Sequence, residues 1–219
     1  MAYAQMILVL LNGFKVTVWI TFVSTVLGGI FSFAFGIGKM SRFWPVRIIS
    51  DVYIEIFRGT SLLVQLFWLF YALPLLGISL SPVAAGIWAL SLNIGAYGAE
   101  VVRGAILAVD TGQYEAALAL NFTPGRTMWK VLIPQAVVEM MPPFGNLVVQ
   151  NMKDSALVSL ITLSDLTFQA QTLRNETLQT VPIYVITLVL YFVLALVLTV
   201  IMRWLERILT AASGREGAR

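Results

Sequence analysis

Long uncharged apolar runs dominate this sequence, and they leave very few folds open to it. Such runs lie near residues 7–37, 59–77, 82–102, 132–160 and 181–202, separated by turn or charge signals. A hydrocarbon core needs roughly 20 apolar residues per helical span, so a chain of 219 residues has room for about five spans plus loops. Lipid offers the backbone no hydrogen-bond partner, which restricts spanning structures to helices and closed barrels. The runs are continuous, without the alternation of barrel strands. The expected fold is therefore all-α: a polytopic membrane protein with about five transmembrane helices, forming a single transmembrane domain over residues 1–219. Composition points the same way, since 59% of the residues are hydrophobic and only 11% charged, against about a quarter charged in a soluble domain.

The basic residues set an orientation. Lys39, Arg42 and Arg47 follow the first run, Arg103, Arg126 and Lys130 flank the third loop, and Arg203, Arg207, Arg215 and Arg219 end the chain. These belong on the cytoplasmic side, while residues 77–81 carry no Lys or Arg and residues 165–180 carry only Arg174. The N-terminus is expected outside and the C-terminus in the cytoplasm. The opening MAYAQM lacks the basic region of a secretory signal, so the first run reads as a retained helix. The net charge of +3 reflects topology and anionic headgroups rather than nucleic acid. With no Cys and no His, neither catalytic nor metal residues are expected.

The segment 108–130 is the longest expected cytoplasmic loop and the least compatible with lipid. Residues 113–120 are helix-prone and residues 121–125 break the helix, giving a short helix, a turn and a return to the membrane. Glu115 beside Ala116 and Ala117 presents a small flat surface with one charge at its edge. Together with Asn121 and the run Val131-Leu132-Ile133-Pro134, it resembles the EAA loop of ATP-binding-cassette importer permeases, although that family has Gly where Asn121 stands. Asn is the next residue most able to take a left-handed turn. Three further stretches resemble permeases of polar amino-acid importers: YIEIFRGTSLLVQLF (53–67), LNIGAYGAEVVRGAI (92–106) and NLVVQNMKDSALVS (146–159).

That resemblance implies a type I importer transmembrane domain in the bacterial inner membrane. In such a domain Gln113, Glu115, Ala116, Ala117 and Asn121 form a coupling helix seated in a cleft of an ATPase subunit. It also implies the partners: a dimer of ATP-binding subunits carrying ATP and Mg, a second permease subunit, identical or homologous, and an extracytoplasmic substrate-binding protein. The chain itself lacks the phosphate-binding pattern GxxxxGK[ST], because Gly38-Lys39 is followed by Met40 and Phe33 stands where the first glycine belongs. No cofactor is expected in it.

Polar residues within the apolar runs mark a pathway, because an intramembrane charge costs about 2.5–3.5 kcal/mol on insertion scales unless it faces a partner or water. Glu139, Pro143, Asn146, Gln150 and Lys153 or Asp154 recur three or four residues apart, and so do Asn93, Tyr97 and Glu100. Facing each other, the two stripes could line a cavity for a zwitterion: Lys153 for the anion, Asp154 or Glu100 for the cation, amides for neutral atoms. Two readings stay open, since Lys153 and Asp154 could neutralise each other and Glu100 could pair with Arg103 or Arg58. Arg58 reads as an anchor at the start of the second helix. Pro142-Pro143 is expected to break or kink the fourth helix, as a hinge or a fixed bend. Gly28, Gly29, Gly36 and Gly38, with Gly95, Ala96, Gly98 and Ala99, permit close helix approach. The resemblance implies a polar amino acid as the substrate, and an amino-acid-derived zwitterion such as ectoine is compatible with the same lining. The alternatives are an ion-coupled secondary carrier, which would show inverted repeats not visible here, and a passive channel.

Overall fold

The computed structural model describes residues 3–212, with side chains from Gln5 to Ala211, so the basic residues Arg215 and Arg219 lie outside the described residues. Nine α-helices follow in order among those described: α1 (Tyr3–Lys39), α2 (Trp44–Gly59), α3 (Leu62–Phe67), α4 (Pro82–Leu107), α5 (Thr111–Ala119), α6 (Pro124–Thr127), α7 (Ile133–Asp154), α8 (Leu166–Thr177) and α9 (Thr180–Ala212). Three stretches, Gln5–Lys39, Pro124–Ile161 and Thr180–Ala211, are long and apolar enough to cross a membrane unaided. Two bent pairs bring the number to as many as five.

The packing hub is the crossing of α1 and α4. A Cβ added at Gly36 would lie 2.7 Å from the Ala99 carbonyl oxygen, one at Gly95 would lie 2.7 Å from Phe31 Cβ, and one at Gly28 would overlap Ile94 Cγ2. Glycine lets the two backbones come this close, which maximises van der Waals contact where lipid supplies no hydrophobic drive. Gly29 plays no such part, for nothing lies within 4 Å of its Cβ position.

Beside this hub α2 packs through Tyr53 and Ile54 against Ala96 and Ala99, and the Tyr53 hydroxyl donates to the Leu92 carbonyl at 2.7 Å. At the charged ends of α1 and α4, Lys39 Nζ binds Glu100 Oε1 at 2.8 Å and Asp51 Oδ1 at 3.1 Å, and Arg103 Nη2 binds Glu100 Oε2 at 2.9 Å. One lysine thereby joins three helices.

Three expectations are corrected. The second apolar run is helical over residues 62–76, as expected, but an additional helix, α2, precedes it; the two meet at a bend of 105° and are apolar enough only together to count as one broken span. The sequence hid this because α2 carries Arg47, Asp51, Glu55 and Arg58, which break up the apolar signal. Next, α7 does not break at Pro142 and Pro143 but runs on through them, forgoing the amide donors those residues lack. Lastly, part of the polar stretch 165–180 is helix α8, whose Leu166, Ala170 and Leu173 pack on Met6 and Leu10 of α1 and on Ile183 of α9.

Asp165 caps α8. Its Oδ1 accepts from the Phe168 amide at 2.9 Å, its Oδ2 accepts from the Thr167 amide at 3.3 Å, and the carboxylate is fully buried. Burial pushes its pKa up from 3.8 to about 6, against the opposing pull of the two amides. The folded chain therefore binds this proton more tightly than the unfolded chain, so the carboxyl's contribution to stability is greatest below pH 4. It declines as the pH rises towards 6. Asp165→Asn keeps an acceptor for the cap but carries no charge. Its thermal midpoint in detergent should vary less than wild type between pH 4 and 6 and should equal or exceed wild type at pH 7.

Candidate functional site

The break in the second span creates the candidate site. Gly59 ends α2, Thr60 is extended at φ −118° and ψ 154°, and Ser61 precedes α3 in an extended conformation. Interrupting a helix inside a bilayer frees carbonyls that protein must satisfy. Here Gln65 Nε2 donates to the Phe57 carbonyl at 2.9 Å and to Thr60 Oγ1 at 2.8 Å. From α4, Asn93 Nδ2 donates to the same Phe57 carbonyl and to Gln65 Oε1, both at 3.2 Å. On the opposite side Asn151 ties α7 to α1 through Ser24 Oγ at 2.8 Å and Thr25 Oγ1 at 3.0 Å.

Between these fixed walls lies a cavity of about 400 Å³, lined by Thr60, Ser61 and Leu62 at the break, Asn93, Ile94 and Tyr97 from α4, and Leu147, Gln150, Asn151 and Asp154 from α7. Gln150 Nε2 donates to Asp154 Oδ1 at 2.9 Å, which aims the carboxylate. Asp154 is the one ionisable carboxylate in the lining. The Arg58 guanidinium sits 5.4 Å from the centre of the Tyr97 ring, a cation–π contact at the edge of the cavity.

Of the seven residues expected along a pathway, Asn93, Tyr97, Gln150 and Asp154 meet at this cavity and three do not. Glu100 is held by Lys39 and Arg103. Lys153 turns away into a separate groove beside Leu188 and Phe192 of α9, because consecutive helical residues point about 100° apart. Asn146 lines another cavity against Met202 and Arg203. Steps of four residues drift about 40° each around a helix, so Asn146 and Asp154 stand about 80° apart, at opposite edges of the stripe, and line different cavities. Sequence reasoning missed Thr60, Ser61 and the placement of Arg58, since the RGTS stretch reads as the start of a helix.

The short helix and turn expected after residue 108 are present as α5 and the residues that follow it. Asp110 caps it, its Oδ1 accepting from the Gly112 amide at 2.6 Å. Asn121 takes φ 55°, while the Asn121 amide reaches the Leu118 carbonyl at 2.9 Å and the Phe122 amide reaches the Ala117 carbonyl at 3.0 Å. That pair of bonds is a left-handed C-terminal cap, a position where Gly or Asn is preferred. Ala117 is buried against the chain, and Gln113 Oε1 accepts from Gln135 Nε2 at 3.2 Å. The outward surface is made by Tyr114, Glu115, Leu118 and Leu120, all exposed.

Residues 24–210 match the family model described as binding-protein-dependent transport system inner membrane component. This chain belongs to that family. The permease is 55% identical over 211 residues to the "Probable amino-acid ABC transporter permease protein y4tF" of Sinorhizobium fredii, covering 94% of this chain and 89% of that protein. It is 37% identical to the arginine transport system permease protein of Bacillus subtilis, covering 90% and 91%. Its fold matches the crystal structure of an amino acid ABC transporter with histidines at a TM-score of 0.87 and 35% identity, over 93% and 95% of the two chains. The permease is thus an all-α transport component of the inner membrane.

The cap at Asn121 yields a test. Asn121→Gly should fold at least as stably as the native permease, whereas Asn121→Val should lose about 1–2 kcal/mol, because a β-branched residue resists left-handed geometry. Thermal unfolding of the purified variants in one detergent measures both.

Proposed function

We propose that this permease carries an amino acid or an amino-acid-derived zwitterion, ectoine included, through the cavity at the broken second span. The carrying observation is that the cavity offers one carboxylate, Asp154, surrounded by the amides of Asn93, Gln150 and Asn151 and the hydroxyls of Thr60 and Ser61. A substrate ammonium has three donors for the Asp154 carboxylate and the neighbouring amide oxygens. Arg58, over the ring of Tyr97, supplies the positive charge for a substrate carboxylate that Lys153 is turned away from giving. The relatives named for amino-acid transport support the same substrate class.

In this reading the basic ends of α1 and α4, the α5 arm and the C-terminus lie in the cytoplasm, and the N-terminus lies outside. The arm, within residues 108–130, docks on a separate ATPase subunit. ATP binding and Mg-dependent hydrolysis take place on a dimer of such subunits, and a binding protein delivers substrate from outside. A second permease subunit, identical or homologous, closes the pathway, because a single chain of this size makes a thin wall. Movement of α5 reaches the cavity directly through α4, which begins its last turns at the Lys39–Glu100–Arg103 cluster and carries Asn93 and Tyr97 further up.

Two substitutions separate binding from drive. In reconstituted proteoliposomes, Asp154→Asn should lower uptake roughly tenfold or more, as loss of a charged hydrogen bond implies, while the complex still assembles and hydrolyses ATP. Glu115→Arg should abolish substrate-stimulated hydrolysis with the cavity intact. Native uptake in both variants would rule out this assignment.

A further inference from the structure

A second polar cavity, separate from the first, lies between α7 and α9. It encloses about 230 Å³ and is lined by Pro142, Gly145 and Asn146 of α7 and by Met202, Arg203 and Glu206 of α9, among others. Its depth follows from the sequence. Residues 181–202 are free of charge, and a helix of that length rises about 33 Å, close to the thickness of a hydrocarbon core. Arg203 is the first charge beyond the run, so Arg203 and Glu206 emerge at headgroup level. Trp204, 60% exposed beside them, suits the same interface.

Arg203 and Glu206 are three residues apart on one helix face, yet among the described residues neither takes part in an ion pair within 4.0 Å. Opposite charges that line one small cavity without pairing complement a dipolar guest. Few residues of α9 are buried within the chain, and Leu188, Phe192, Val200 and Trp204 along it are exposed.

We infer that this cavity seats the headgroup of an ethanolamine phospholipid at one membrane surface. Arg203 presents a planar fork of donors to the phosphate. Glu206 accepts from the primary ammonium, and Asn146 in the same lining supplies an amide oxygen for a further N–H. Glu206 disfavours a purely anionic headgroup, and a trimethylated ammonium lacks the N–H donors that Glu206 and Asn146 require. This assignment does not depend on the substrate proposed for the central cavity.

Native mass spectrometry of the full-length permease, incubated with equal amounts of phosphatidylethanolamine, phosphatidylglycerol and phosphatidylcholine of matched acyl chains, tests it. The wild type should retain the ethanolamine lipid in preference to the other two by roughly three- to tenfold. Arg203→Gln should weaken the ethanolamine and glycerol lipids alike, while Arg203→Lys should keep part of the binding. Glu206→Gln should erase the preference over phosphatidylglycerol. Equal retention of the three lipids by the wild type would overturn the inference, as would a preference unchanged in both Gln variants. So would displacement of the bound lipid by millimolar free amino acid, which would make the cavity a site for a soluble zwitterion instead.

Discussion

A bilayer does not forgive an unpaired carbonyl, and the structure turns on how it satisfies the ones it frees. Where the second span breaks between Gly59 and Leu62, the Phe57 carbonyl receives both Gln65 and Asn93, and Thr60 is held by Gln65. An unsatisfied group there would cost several kcal/mol in lipid. Gln65 and Asn93 therefore fix the bend, and the bend opens the 400 Å³ cavity beside Asp154.

The same network links site and arm. Asn93 touches the break, Tyr97 lines the cavity one turn on, and Glu100 is clamped by Lys39 and Arg103 one turn further. All three lie on α4, which leads after a short turn into α5. Because Lys39 also binds Asp51, displacement of this end of α4 is shared with α1 and α2 rather than absorbed locally. The glycine-lined crossing of α1 and α4 stiffens the rest of the lever.

Much of this was legible in the sequence, for stated reasons. Apolar runs give the all-helical membrane fold because length and charge alone decide it, and Asn121 could be placed in a left-handed turn because so few residues tolerate one. The stripe on α4 was readable as far as Tyr97. What escaped was set by tertiary context. Helix α8 is too polar to signal itself and is held by its Asp165 cap and by three apolar side chains. Lys153 and Asp154 are neighbours in sequence yet face different cavities, which periodicity could separate only with the helix phase known. Ala117 turned inward, so that Tyr114, Leu118 and Leu120 make the outer face of the arm, because a helix of nine residues has too little pattern to show its buried side.

The absence of cysteine from the native chain makes one measurement unusually clean. Single substitutions Thr60→Cys, Leu147→Cys and Asn146→Cys, each in the reconstituted transporter, can be labelled with a small maleimide in the presence and absence of saturating amino acid. If the broken span forms the binding cavity, substrate should slow labelling at positions 60 and 147 and leave position 146 unaffected. Protection at 146 alone, or at none of the three, would contradict the account.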